Sequence, residues 1–227
     1  MVHRGEELTL FIDSYAFGGR GIAKIPTEDS HFIVFVDNAF PGQVVKAKID
    51  VTRKHHAEAK LLEVVQRAPS EIVSCFQEIS GAPYLYVPEA IQQEVKQAST
   101  LTTFSKLSGI KPIEPYFDGY ISSPSCFFYR NKMEYSFSSI AHDLATGSEI
   151  DDAFALGFKR RGTWWKVENL DQPSGLFDEP WETKLPELRD FLFQTQLPAW
   201  HPPKKTGFFV ILLSANPSNK TNFWSIL

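Results

Sequence analysis

Cysteine is scarce in this sequence: Cys75 and Cys126 are the only two among 227 residues. Two thiols cannot build a disulfide framework or a four-cysteine metal site, and such a composition suits a reducing, cytoplasmic compartment. Long apolar runs are lacking as well. The longest near the C-terminus, Phe208 to Leu213, falls far short of the roughly 20 residues of a membrane span. No membrane partner is expected. The opening Met1-Val2-His3-Arg4-Gly5-Glu6-Glu7 shows no basic-then-apolar signal pattern, so Asn219-Lys220-Thr221 reads as a chance match to a glycosylation acceptor. Positive charge is not in surplus either, with a net charge of −4 and a pI near 5.9. A nucleic-acid-binding domain more commonly has a pI above about 9. Any nucleic-acid contact must therefore rest on local basic patches.

Apolar residues make up 43% of the chain and 19 are phenylalanine, enough for a real core. Five short strand-like runs come first, with turn chemistry between them. Leu8, Leu10 and Ile12 alternate with Thr9, Phe11 and Asp13, and a glycine cluster, Gly18-Gly19-Arg20-Gly21, turns the chain into Ile22 to Ile25. His31 to Val36 is rich in β-formers, Pro41-Gly42 is a turn dipeptide, and Val44 to Val51 and Ala57 to Val65 complete the set. Five strands without a helical period between them predict a small closed antiparallel barrel, most economically an OB-like one. Such barrels commonly bind single-stranded nucleic acid, although a barrel used only for packing or protein contact fits the composition equally.

Ala16 to Ile25, followed by Phe32-Ile33-Val34-Phe35-Val36-Asp37-Asn38-Ala39-Phe40-Pro41-Gly42-Gln43-Val44-Val45, resembles a TRAM domain. The resemblance implies an OB-like RNA-binding barrel over residues 1–67, with Arg20 and Lys24 as candidate RNA contacts. Residues 68–209 resemble the central, mixed α/β domain of RNA 5-methyluridine methyltransferases. The resemblance rests on Tyr129-Arg130-Asn131-Lys132-Met133-Glu134-Tyr135, on Ala155-Leu156-Gly157-Phe158-Lys159-Arg160-Arg161-Gly162 and on Trp164-Trp165-Lys166-Val167-Glu168-Asn169-Leu170-Asp171-Gln172-Pro173. Arg130, Lys132, Lys159, Arg160, Arg161 and Lys166 are the further candidate RNA contacts, by phosphate neutralisation. Trp164 and Trp165 could stack on bases, but alternation puts them on opposite faces, so one of them should be core. Between these segments a helix is expected from Pro88 to Gly109, with Ile91, Val95, Ala98, Leu101 or Thr102, and Leu107 along one face.

The family implied by the resemblance uses S-adenosylmethionine, a class I nucleotide-binding sheet and a cysteine nucleophile that attacks uracil, and it often carries an iron–sulfur cluster. Here Ser80 and Pro83 stand where cluster cysteines would fall, so no cluster is expected. Nothing after Gly207 offers repeated βα units, and neither cysteine lies in a nucleophile-like segment. These absences predict a chain truncated before its SAM-binding Rossmann-like domain. It would then be the RNA-recognition portion of an enzyme acting on ribosomal or transfer RNA, inactive alone, with a divergent tail at 210–227 and no residue assigned a catalytic role. Two other readings stay open: a longer product or a partner supplies the catalytic domain, or the chain is a non-catalytic contact module.

Overall fold

The computed structural model describes residues 2–16, 18–28, 30–144, 146–215 and 223–226. Phe17 of the glycine turn and the Asn219-Lys220-Thr221 match lie outside the described residues. The chain divides into two compact units, 1–74 with 83–123 and 75–82 with 124–227.

The strands of the first unit occur where the alternation of apolar residues places them: β1 (Glu7–Phe11), β2 (Ser14–Ala16), β3 (Arg20–Pro26), β4 (His31–Asp37), β5 (Val44–Thr52) and β6 (His56–Gln66). Their order in the sheet is β1-β5-β6-β4-β3-β2. The two ends of that order, β1 and β2, are successive parts of one segment. The Ile12 N–H donates to the Gln43 carbonyl at 2.9 Å and the Asp13 N–H to the Ile22 carbonyl at 2.8 Å. The chain thus crosses from one sheet edge to the other within two residues, which closes the barrel and leaves no edge for aggregation. Ile12 at the crossing is fully buried, together with Val34, Val36, Val45, Ala47 and Ala57. Each buried Val or Ile side chain contributes about 1.5–3 kcal/mol.

The barrel is mixed rather than antiparallel, which corrects the expectation. β5 leaves β4 to pair with β1, so β6, antiparallel to β5, runs in the same direction as β4 and pairs with it in parallel. Gly18 and Gly19 make the β2–β3 turn at φ of 85° and 80°, the left-handed region in which a Cβ is costly. Helix α1 (Glu89–Ser108) begins after Pro88 and is capped by the Gly109 N–H donating to the Ser105 carbonyl. None of its residues is fully buried. Ile91 joins Phe40, Ala68 and Val87 in a small cluster, while Leu107 is exposed. The anticipated apolar face therefore packs only at its N-terminal end.

The second unit holds a seven-stranded sheet of order β13-β12-β7-β10-β11-β8-β9. Its strands are β7 (Lys132–Ser138), β8 (Ala141–His142), β9 (Glu149–Ile150), β10 (Ala155–Lys159), β11 (Val167–Asn169), β12 (Ile211–Ala215) and β13 (Phe223–Ile226). It too is mixed, since β8 and β11 run parallel. Met133, Tyr135 and Phe137 of β7 and Leu156 of β10 face a core completed by Leu170, Phe177 and two residues, Leu185 and Leu192, of helix α3 (Leu185–Gln194). The short helix α2 (Glu179–Glu182) brings the buried Glu182 to the Tyr135 hydroxyl, 2.9 Å away. In the segment expected to be a divergent tail, β12 is an integral strand, paired antiparallel with β7.

Candidate nucleic-acid interface

Strand alternation sorts the barrel into an apolar interior and a mixed exterior. On β3, β4 and β6 the inward residues Gly21, Ala23, Val34, Val36, Ala57 and Ala59 are buried. The outward residues lie in cross-strand rows: Lys24 beside Ile33 beside His56, then Ile22 beside Phe35 beside Glu58. Asp37 and Lys60 form the next row, with Arg20 at its β3 end. This face has a half-buried apolar centre of Ile22, Ile33 and Phe35. The Phe35 ring meets the His56 imidazole edge to face, with centroids 5.6 Å apart and planes at 77°.

At one end of the face the β5–β6 hairpin turns through Arg53, Lys54 and His55, all exposed, and closes with the Arg53 N–H on the His56 carbonyl at 2.8 Å. Lys24 stands at the same end, on the row that includes His56. An apolar, partly aromatic strip bounded by cations can stack a base and neutralise its phosphates together. The expectation from sequence named Lys24 on this face and did not name Phe35, Arg53, Lys54 or His56. Their signal was available: a basic run at a predicted hairpin, next to outward aromatic positions.

Arg20, the other predicted barrel contact, is engaged within the protein. Its Nε is 3.0 Å from Asp37 and its Nη2 3.2 Å from Glu58. All three side chains are about one-third exposed. Such pairs are worth roughly 0–1 kcal/mol, so a phosphate can compete for the guanidinium.

The second unit separates its predicted contacts more sharply. Arg130 precedes β7 and is exposed, its guanidinium 5.9 Å from the Tyr129 ring centroid. Lys132 pairs with Glu134 at 2.9 Å, both well exposed. Lys159 and Arg161 are exposed on the β10–β11 hairpin. Arg160, between them, turns inward and bonds the fully buried Glu168 carboxylate at 2.6 Å. Lys166, mostly buried, pairs with Glu149 at 2.7 Å and holds that carboxyl below the usual carboxylate range. Arg160 and Lys166 thus have structural partners, while Lys159 and Arg161 face solvent. Of the two tryptophans, Trp164 is exposed and Trp165 half-buried, so neither is a full core residue.

The thiols and their surroundings do not fit an iron–sulfur cluster. Cys75 is exposed and Cys126 half-buried. The Ser80 hydroxyl, at an expected ligand position, donates to Glu168 at 3.0 Å and accepts from the Arg161 N–H at 2.8 Å. Among the described residues no group of three or more His, Cys, Asp or Glu is arranged to hold a metal ion. For S-adenosylmethionine, the glycine-rich Gly18-Gly19-Arg20-Gly21 joins two barrel strands rather than opening a helix. No residue described here is therefore assigned to that cofactor.

Residues 2–62 match the family model of the TRAM domain. An uncharacterized RNA methyltransferase of Clostridium tetani is 29% identical over 225 residues, 96% of this chain and 45% of that protein. A 23S rRNA (uracil(1939)-C(5))-methyltransferase of Aeromonas hydrophila is 34% identical over 91 residues, 38% of this chain and 21% of that protein. A solved structure, the Pyrococcus abyssi tRNA (uracil-54, C5)-methyltransferase in complex with S-adenosyl-L-homocysteine, shares the fold. Its TM-score is 0.58 at 15% identity, covering 96% of this chain and 45% of that one.

The chain spans less than half the length of these relatives. The expectation of a protein truncated before, and lacking, its SAM-binding domain is corrected by the match that runs across 96% of the chain. No helix among the described residues is long and apolar enough to cross a membrane. Residues 2–62 are thus similar to TRAM domains, and the chain as a whole is similar to proteins named RNA methyltransferases.

Proposed function

We propose that this chain supplies RNA recognition to an S-adenosylmethionine-dependent RNA (uracil-5-)methyltransferase acting on ribosomal or transfer RNA. The observation that carries the reading is the outward barrel face of β3, β4 and β6, where Phe35 and His56 lie next to Lys24 and the Arg53-Lys54 hairpin. Five-stranded barrels of this topology bind oligonucleotides on such a face and on the adjoining loops. Lys24, Arg53 and Lys54 neutralise phosphates, and Phe35 and His56 take an unstacked base. Lys159, Arg161 and Arg130 add phosphate contacts from the second unit. The cofactor, when bound, supplies the methyl group; the residues described here bind and orient the RNA.

The test is a titration of a structured RNA at several salt concentrations. Each phosphate neutralised lowers the slope of log K against log salt by nearly one. Binding that weakens steeply with salt, and less steeply in the Lys24→Gln/Lys54→Gln variant, supports the reading. Affinity indifferent to salt, or none, overturns it.

A further inference from the structure

Trp164 stands out as a large apolar side chain left 59% exposed at the end of the β10–β11 hairpin. An exposed indole forgoes the stabilisation that burial would give it. The protein nevertheless holds this one in place. Its ring packs edgewise on Trp165, with centroids 5.6 Å apart and planes at 74°. Trp165 is fixed in turn: its indole N–H donates to Glu149 at 3.3 Å, and its carbonyl accepts from the Ser138 hydroxyl at 2.9 Å. Glu149 is itself pinned by Lys166 at 2.7 Å.

The base of the hairpin is anchored by a buried charge. Glu168 receives Arg160 Nη1 at 2.6 Å and both the N–H and the hydroxyl of Ser80 at 3.0 Å, while the Arg161 N–H donates to that same hydroxyl. Desolvating a carboxylate is costly and is tolerated only when it is well paired. That cost fixes the chain direction at Arg160 and Arg161. The outcome is an anchored hairpin showing one indole to solvent, with Lys159 and Arg161 exposed on the same hairpin.

We infer that the β10–β11 hairpin is a second RNA-binding site, separate from the barrel face, at which Trp164 stacks on one unpaired base while Lys159 and Arg161 hold its flanking phosphates. The inference rests on the RNA-recognition reading above. Unpaired RNA is the occupant because an indole can stack only on a base that has left its helix, and because both exposed charged groups on the Ala155–Asn169 hairpin, Lys159 and Arg161, are cations. A fully paired duplex offers the cations its phosphates but offers the indole no base.

The experiment compares binding of the full chain to a stem-loop RNA and to a duplex of the same stem, using the unaltered protein, Trp164→Ala and Trp164→Phe. The unaltered protein should prefer the stem-loop. Trp164→Ala should lose about 10-fold in stem-loop affinity with duplex affinity unchanged, and Trp164→Phe should restore most of the loss. Arg161→Gln should weaken both RNAs alike. A Trp164→Ala protein that retains the full stem-loop preference overturns the second site while leaving the barrel reading intact. Failure of the unaltered chain to bind either RNA overturns both.

Discussion

The guanidinium of Arg160 lies 2.6 Å from the carboxylate of Glu168, and the carboxylate is wholly buried in the second sheet. Two residues that look alike in sequence, Arg160 and Arg161, therefore do different work. One neutralises a charge inside the protein, and the other faces solvent.

Glu168→Ala should remove the partner of Arg160 and leave two Ser80 donors unmet. The expected loss is about 3 kcal/mol, at the low end for breaking a buried pair because Arg160 retains some solvent. All five tryptophans, Trp164, Trp165, Trp181, Trp200 and Trp224, belong to the second unit. Intrinsic tryptophan emission during urea unfolding thus reads that unit alone. An unchanged midpoint would show that the pair contributes nothing net.

Gly157→Ala tests the packing of β10 on β11. A Cβ at Gly157 would overlap the Glu168 carbonyl and come within 2.8 Å of Leu170 N, both backbone atoms that cannot move independently. The predicted loss is about 3 kcal/mol, with the same fluorescence readout. A loss under about 1 kcal/mol would mean that the two strands can separate slightly at little cost.

On the barrel, Lys24→Gln and Arg20→Gln should differ in how RNA binding depends on salt. Lys24 is exposed, and losing one phosphate contact should make the slope shallower by about one. Arg20 is shared with Asp37 and Glu58, so its removal should change the slope less. Equal slopes for the two variants would contradict the assignment of Lys24 as the stronger contact.

Glu182 gives a pH signature. Burial pushes its carboxyl above the usual range, against the bonds from Ser174 and Tyr135 that favour ionisation. A carboxyl raised in the folded state holds a proton that the unfolded chain gives up. Its contribution to stability is thus fully present below about 4.5, the unfolded value, and is lost as pH rises through the folded value. The stability of the wild type relative to Glu182→Gln should fall across that window. A difference independent of pH would refute the raised carboxyl.

Much of the barrel is readable in the sequence because its strands alternate apolar and polar residues with period two, and because Gly18-Gly19 marks a turn that needs positive φ. The parallel β4–β6 pair is not readable in this way, since alternation says which face a residue takes and nothing about which strand lies beside it. The same limit explains the site. Basic residues are visible in sequence, but their partners are remote: Arg20 meets Glu58, and Ser80 meets Glu168.

The sequence by itself determined the strand segments, the glycine turn, the helix bounded by Pro88 and Gly109, and the resemblance to TRAM-containing RNA methyltransferases. Those properties are local, set by side-chain period, backbone sterics and short motifs. Only the tertiary structure decided that the barrel closes through Ile12 and Asp13, that Phe35 and His56 meet beside Lys24's strand, and that Arg160 pairs with the buried Glu168 while Trp164 stays in solvent. Burial and charge pairing depend on neighbours far away in the chain, and folding alone brings those neighbours together.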